Sequence, residues 1–329
     1  MNYGDISPRT NVYADRRLLE RAKTNNLLGM FGQVKSLPSR STQVISFRRY
    51  DKLDSTPVAI QEGVTPSGKT LTKTDVTATI RQYGDFVRIT DVIQDTHEDP
   101  VLNESVDLLG EQAGEMYDKV RFGILKAGSN LLRANGTDRT HINPVITADL
   151  CRTATRTLKR QEAEYLREMI GAGAKISTSP IPPAYVAVCH SDVEPDIKRC
   201  ENFVPVEQYS SAMGLIPGEI GKVDQIRFAI DNNCVPFEDA GGAKAGAGYK
   251  TLSKTGTSSD VYPILIFGKN AYGIVPLAGK ESDTVLVSNP KAVDSDPLAQ
   301  RGSVGWKGWT TAVILNDYWM LRMEVACKG

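Results

Sequence analysis

The longest periodic stretch of the chain runs from Pro100 to Leu131, and everything else must fold around it. Leu102, Val106, Leu109, Ala113, Met116, Val120, Ile124, Ala127 and Leu131 recur at steps of three and four. That spacing writes one apolar stripe along an α-helix. Asp99 and Pro100 suit an N-cap followed by a first-turn proline. Glu104 adds negative charge near the positive end of the helix dipole. Glu111, Glu115, Asp118, Lys119, Arg121 and Lys126 fall largely off the stripe. At ~1.5 Å per residue such a helix would be roughly 45 Å long. Gly110, Gly114 and Gly123 each cost on the order of 1 kcal/mol relative to alanine. Either another backbone packs closely at these glycines or the helix bends.

Length and charge narrow the function classes. A chain of 329 residues can bury a large core and could hold two domains. Its formal net charge is zero, which excludes a protein that coats nucleic acid over its whole surface. No apolar run is long enough to cross a bilayer, and the polar N-terminus predicts no secretory leader. Cys151, Cys189, Cys200, Cys234 and Cys327 are scattered without a CxxC pair, and His97, His141 and His190 stand at no ligand spacing to them. Neither a zinc site nor a disulfide framework is expected. The thiols read as reduced, in a protein of cytosolic origin.

Residues 1–43 form a basic arm in which Arg9, Arg16, Arg17, Arg21, Lys23, Lys35 and Arg40 outnumber Asp5, Asp15 and Glu20. A short helix is expected from Tyr13 to Lys23. Such an arm lies on a neighbouring subunit, on nucleic acid or in solvent. A strand at Val44–Phe47 and an alternating strand at Val76–Arg81 flank a polar stretch with Pro57, Gly63, Pro66 and Gly68. That pattern predicts a long projecting hairpin, and compact domains seldom keep so long a connection without a function. A further strand, Phe86–Thr90, leads to the long helix.

Beyond the helix, a second amphipathic helix is expected from Ala148 to Ile170, capped by Thr147. Strands follow at Tyr185–Cys189, Gln225–Ile230 and Tyr262–Phe267. Glu238–Ser259, rich in Gly, Ala, Ser and Thr, reads as a mobile surface loop. The chain ends in an expected hairpin, 311–325, turning at Asn316-Asp317.

Gly63-Val-Thr-Pro-Ser-Gly68-Lys69-Thr70 satisfies the GxxxxGK[ST] spacing of a phosphate-binding loop. That loop works only between an apolar strand and a helix whose N-terminal N–H groups face the phosphates. Here the residues after it alternate with period two, so the stretch reads as a Gly/Pro turn. His190-Ser191-Asp192 holds hydrolase residue types, but no GxSxG elbow supplies a nucleophile. Trp306, Trp309 and Trp319 read as core or interface residues.

A set of stretches in register is more specific. Glu62-Gly-Val-Thr-Pro-Ser-Gly-Lys-Thr-Leu-Thr leads into Val76-Thr-Ala-Thr-Ile-Arg-Gln-Tyr-Gly-Asp-Phe-Val. Then come Tyr185-Val-Ala-Val-Cys-His-Ser-Asp-Val, Gly218-Glu-Ile-Gly-Lys-Val and Tyr262-Pro-Ile-Leu-Ile-Phe-Gly-Lys-Asn-Ala-Tyr-Gly. Asp296-Pro-Leu-Ala-Gln-Arg-Gly-Ser-Val-Gly-Trp-Lys closes the set. From about residue 45 to the end, this set resembles the major capsid proteins of tailed bacteriophages of the coliphage N-four type.

The resemblance implies an α+β chain with the Hong Kong 97-like phage capsid fold. It implies an N-terminal arm (1–43), an extended loop formed by a long β-hairpin (44–84) and a peripheral domain (85–150) carrying the spine helix. It further implies an axial domain (151–297) and a C-terminal hairpin (298–329) returning to the peripheral domain. Glu62, Gly63, Pro66, Gly68 and Lys69 would then meet a neighbouring subunit, and Arg16, Arg17 and Arg21 would make the contacts of the arm.

The function implied is structural and not enzymatic, with no cofactor and no metal. The chain would assemble in the bacterial host cytoplasm into hexamers and pentamers of an icosahedral head. Scaffolding, portal and decoration proteins would be its partners, with packaged double-stranded DNA held by non-specific contact and no membrane. An encapsulin-like cargo compartment would share the fold. A nucleotide-binding enzyme using Gly63–Thr70 is the alternative from another class.

Overall fold

The computed structural model describes residues 26–38, 42–57, 59, 60, 62, 63, 65, 68–90, 101–167, 181–209, 215–244, 256–276, 284–288, 297, 298 and 300–328. In chain order the first elements are β1 (Gln33–Val34), β2 (Val44–Tyr50), β3 (Lys73–Thr79), β4 (Arg81–Thr90) and α1 (Val101–Leu125). Next come β5 (Leu131–Arg133), α2 (Ala148–Arg160), β6 (Tyr185–Cys189), α3 (Glu194–Lys198), β7 (Val204–Pro205), β8 (Glu219–Val223) and β9 (Ile226–Ile230). The chain finishes with β10 (Tyr262–Phe267), β11 (Tyr272–Ile274), β12 (Thr284–Ser288), β13 (Arg301–Thr310), β14 (Ala312–Ile314) and β15 (Met320–Val325).

The largest sheet has the order β5-β15-β10-β6-β9-β8-β7. Its central strands are buried on both faces, which is why Tyr185–Cys189 and Tyr262–Phe267 read as nearly continuous apolar runs. Tyr185, Ala187, Tyr262, Ile264, Leu321 and Met323 pack with Cys151, Ala154 and Leu158 of α2. The alternate residues Val186, Val188, Leu265 and Phe267 pack with Phe122 and Leu125 of α1. The two helices therefore cover opposite faces.

A second sheet, β12-β13-β4, receives the other half of α1. Val106, Leu109, Ala113 and Tyr117 meet Ile89, Val304 and Trp306, with the Tyr117 and Trp306 rings edge to face at 5.8 Å. One helix thus ties two sheets together. Smaller sheets complete the body: β1-β11-β14, and the pair β2-β3.

Several expectations change. The spine helix stops at Leu125, short of Leu131, and Asp99 and Pro100 lie outside the described residues. The N–H groups of Ala127 and Gly128 fold back on Ile124 and Leu125. Ser129 then bonds Asp317, and Leu131–Arg133 pairs with β15. Strand pairing wins over helix extension there. The buried side of the second half of α1 also rotates away from Met116, Val120 and Ile124 to Tyr117, Asp118, Arg121, Phe122 and Leu125. Gly123 faces open space, so no backbone approaches it.

The second helix ends at Arg160 and not at Ile170. Glu162 adopts a φ of 55° and the Ala163 N–H returns to Leu158, which closes the helix; Met169 and Ile170 lie outside the described residues. The Thr147 cap is present, its hydroxyl accepting from the Leu150 N–H at 3.3 Å. The terminal hairpin is not formed: β14 pairs with β11, while β15 inserts between β10 and β5 in the large sheet. Only 301–310 of the last segment returns to the sheet of β4, and β12, expected with the axial segment, joins it.

The Glu238–Ser259 surface loop has a buried base. The Gly242 N–H bonds Ile142, and the Ser259 N–H bonds Gly242, with Ser259 and Asp260 fully buried. Residues 245–255 lie outside the described residues.

Candidate assembly surfaces

The hairpin of β2 and β3 carries the residues singled out for subunit contact. β2 and β3 pair antiparallel from Val44↔Thr79 to Tyr50↔Lys73, and the Asp51 N–H to Thr72 bond extends the ladder by one step. Its root is anchored: Ile45, Phe47, Ala78 and Ile80 pack with Leu37, Val275, Trp309 and Val313. Lys35 donates to the Ser46 carbonyl at 2.9 Å. Arg48 and Asp75 clasp the two strands at 2.9 Å, and the guanidinium bond holds the Asp75 carboxyl below its usual range.

Beyond Tyr50 residues 52–57 are exposed, and Lys52 reaches Glu162 as an exposed ion pair at 2.5 Å. Ile60 is 79% exposed and Leu71 66% exposed, and Leu53 is open as well.

Glu62 and Gly63 form an exposed turn, with Gly63 at φ +79°. Gly68 has open space around it. Lys69 donates to the Asp54 backbone carbonyl, with the Asp54 carboxylate at 3.5 Å. Pro66 lies outside the described residues, as do Arg16, Arg17 and Arg21. The phosphate-loop reading fails on this geometry. The residues after Thr70 enter β3 and not a helix, so among the described residues no helix follows the 63–70 spacing, and the Lys69 ammonium is turned onto its own loop.

His190 is likewise structural. Its Nδ1 accepts the Asp192 N–H at 3.1 Å, and the Asp192 carboxylate accepts the Tyr262 hydroxyl at 2.8 Å. Among the described residues there is no cluster of metal-ligating side chains. Burial pushes the Cys200 thiol up to about 11 and raises Cys151, Cys189 and Cys234 further, away from nucleophilic character.

A second anchoring point was not foreseen. Residues 26–31, where the described chain begins, lie across α1. The fully buried Asp118 carboxylate accepts the N–H groups of Leu27 at 2.7 Å and Leu28 at 3.2 Å. Arg121 donates to the Asn26 side chain, and Tyr272 donates its hydroxyl to the Leu28 carbonyl at 2.6 Å. Leu27, Leu28 and Phe31 then complete the core beneath α1.

Sequence reasoning missed Asp118 and Arg121 because it took charge as a sign of the solvated face. The competing stripe Tyr117, Phe122 and Leu125 was the available signal.

Comparison with known proteins agrees with this architecture. The model of the phage capsid protein family matches residues 73–322. The major capsid protein of Pseudomonas phage KPP21 is 24% identical over 178 residues, covering 49% of this chain and 43% of that protein. The chain thus aligns with less than half the length of that relative.

Solved structures share the fold at low identity. The capsid of Ralstonia phage GP4 superposes with a TM-score of 0.67 at 13% identity, over 91% of this chain and 87% of the other. The capsid of cyanophage P-SCSP1u gives 0.60 at 14% identity, over 92% and 89%. The head of Helicobacter pylori bacteriophage KHP40 gives 0.59 at 14%, over 93% and 90%. With its helix bridging two sheets and its projecting hairpin, this chain belongs to the phage capsid protein family and has a Hong Kong 97-like fold.

Proposed function

We propose that the chain is the major capsid protein of a tailed bacteriophage, a non-enzymatic subunit that assembles into hexamers and pentamers of an icosahedral head around double-stranded DNA. The observation that carries this reading is the hairpin, firmly anchored at Phe47 and Ala78 yet exposing Leu53, Ile60 and Leu71 beyond its root. In this reading the turn around Glu62, Gly63, Pro66, Gly68 and Lys69 lies on a neighbouring subunit. The arm carrying Arg16, Arg17 and Arg21 makes further contacts between subunits. Residues 85–150 act with β12 and β13 as the peripheral domain, and the seven-stranded sheet forms the axial domain. Scaffolding, portal and decoration proteins are its partners, and assembly takes place in the host cytoplasm. Zero net charge suits a wall that confines DNA without a uniform basic lining. Electron microscopy of the purified protein tests the proposal. Closed shells or flat hexamer sheets are expected; a strictly monomeric particle under all assembly conditions would contradict it.

A further inference from the structure

Glu324 of β15 is the floor of an arginine cluster at one end of the seven-stranded sheet. Arg322 and Glu324 stand two residues apart on that strand, so they share a face. The parallel edge strand β5 sets Arg133 beside Glu324. Arg139, from the loop after β5, donates twice to the carboxylate, Nη2 to Oε1 at 2.7 Å and Nε to Oε2 at 3.3 Å. Arg322 Nε lies 3.1 Å from Oε1, and Arg133 Nε lies 3.6 Å from Oε2.

One carboxylate does not satisfy three guanidiniums. Arg139 takes the well-aligned positions, and neither Arg322 Nε nor Arg133 Nε makes a hydrogen bond, although both atoms are buried. Among the described residues no other carboxylate pairs with these three arginines. Three positive charges against one negative leave two in excess. The Arg322 side chain is 9% exposed, whereas Arg133 at 27% and Arg139 at 32% form an open rim above it. A buried cation with an incomplete partner is costly. Burial first, and then the charges of Arg139 and Arg133, pull the Arg322 guanidinium below its ordinary range against the Glu324 carboxylate.

The rim is held in place by the chain itself. Arg139 stacks on Phe237, 3.6 Å from the ring centre, and Arg133 Nη1 donates to the Thr137 carbonyl at 2.5 Å. Lys126, just past α1, lies over the same Phe237 ring at 5.7 Å and adds a further positive charge nearby.

We infer that Arg133, Arg139 and Arg322 form an oxyanion site that takes a phosphate group. A phosphate monoester carries about 1.5–2 negative charges near pH 7 and offers three strong acceptor oxygens. Its charge matches the excess, and guanidinium forks bond such an oxyanion through paired N–H groups. A carboxylate ligand brings a single charge, and Glu324 already supplies one from below. Inorganic phosphate and the backbone of a nucleic acid present this same chemistry. The site is a property of the single chain, and only the choice between these two sources leans on the shell reading.

The test is titration calorimetry of the purified full chain with inorganic phosphate, in a phosphate-free buffer at fixed ionic strength. Saturable binding is expected. Arg322→Gln is expected to weaken it at least tenfold and Arg133→Gln several-fold. Arg152→Gln, which removes an exposed arginine of α2 paired with Asp149, should leave it unchanged. Should Arg322→Gln fail to fold, Arg133→Gln at the exposed rim decides alone. A short DNA duplex without terminal phosphates is then added as competitor. Displacement of phosphate assigns the site to a nucleic-acid backbone, lack of displacement assigns it to free phosphate, and both results uphold the site. Absence of saturable binding would overturn the inference. So would acetate binding as tightly as phosphate, or an equal loss in Arg152→Gln and Arg133→Gln, since either would reduce the effect to general charge.

Discussion

Phe47 of the hairpin lies across Gly273 of β11, so closely that a Cβ on Gly273 would come within 2.8 Å of the Phe47 ring. This contact fixes the root of the hairpin to the body. Gly273→Val is expected to push the ring aside and cost ~1–3 kcal/mol of stability. Urea unfolding monitored by fluorescence checks this, and an unchanged midpoint would contradict the packing.

Leu109 is buried between α1 and the β4–β13 sheet, while its neighbour Leu108 faces solvent. Leu109→Ala is expected to cost about 2–5 kcal/mol, and Leu109→Asp to prevent folding, because an unpaired charge would be buried. Leu108→Ala is expected to change stability by less than ~0.5 kcal/mol. Equal effects at both positions would mean that the helix is rotated.

The Arg227–Glu219 pair is buried at 1% exposure on each side, with two contacts at 2.6 Å. Arg227→Met leaves the Glu219 carboxylate with the Tyr209 hydroxyl and the Ile216 N–H but without its cation, and is expected to cost ~3–5 kcal/mol. Arg227→Met combined with Glu219→Leu should recover much of that loss. A double variant as unstable as the sum of its two single changes would show that packing, and not the unpaired charge, sets the cost.

The sequence carried the parts of the fold that rest on local periodicity. Tyr185–Cys189 and Tyr262–Phe267 were legible to the residue because strands buried on both faces leave continuous apolar runs. The hairpin was legible because a polar stretch with Pro57 and Gly63 separated two alternating strands. What failed depended on distant partners. Leu131 continues the helical spacing, yet β15 claims it for a strand. Thr311–Leu315 and Trp319–Val325 look like two arms of one hairpin, but each finds a better-placed strand elsewhere. Asp118 looked solvated because no local signal marks a carboxylate that caps amides ninety residues away.

Lys69 and the phosphate-loop spacing give a direct test of the alternative class. Neither the native chain nor Lys69→Ala is expected to bind a fluorescent ATP analogue, and Lys69→Ala should unfold at the native midpoint, because its ammonium is exposed on its own loop. Saturable binding that disappears in Lys69→Ala would contradict the structural reading of 63–70.

The claim that the hairpin tip is completed by a neighbouring subunit is tested most directly by limited trypsin digestion before and after assembly. Lys52, Lys69 and Lys73 stand at the tip and its margins, and their known partners, Glu162 for Lys52 and Asp54 for Lys69, are exposed ion pairs of little holding power. Rapid cleavage at these lysines is expected in free subunits, with strong suppression in assembled shells. Equal resistance in both states would show that the chain stabilises the tip by itself and would contradict the account.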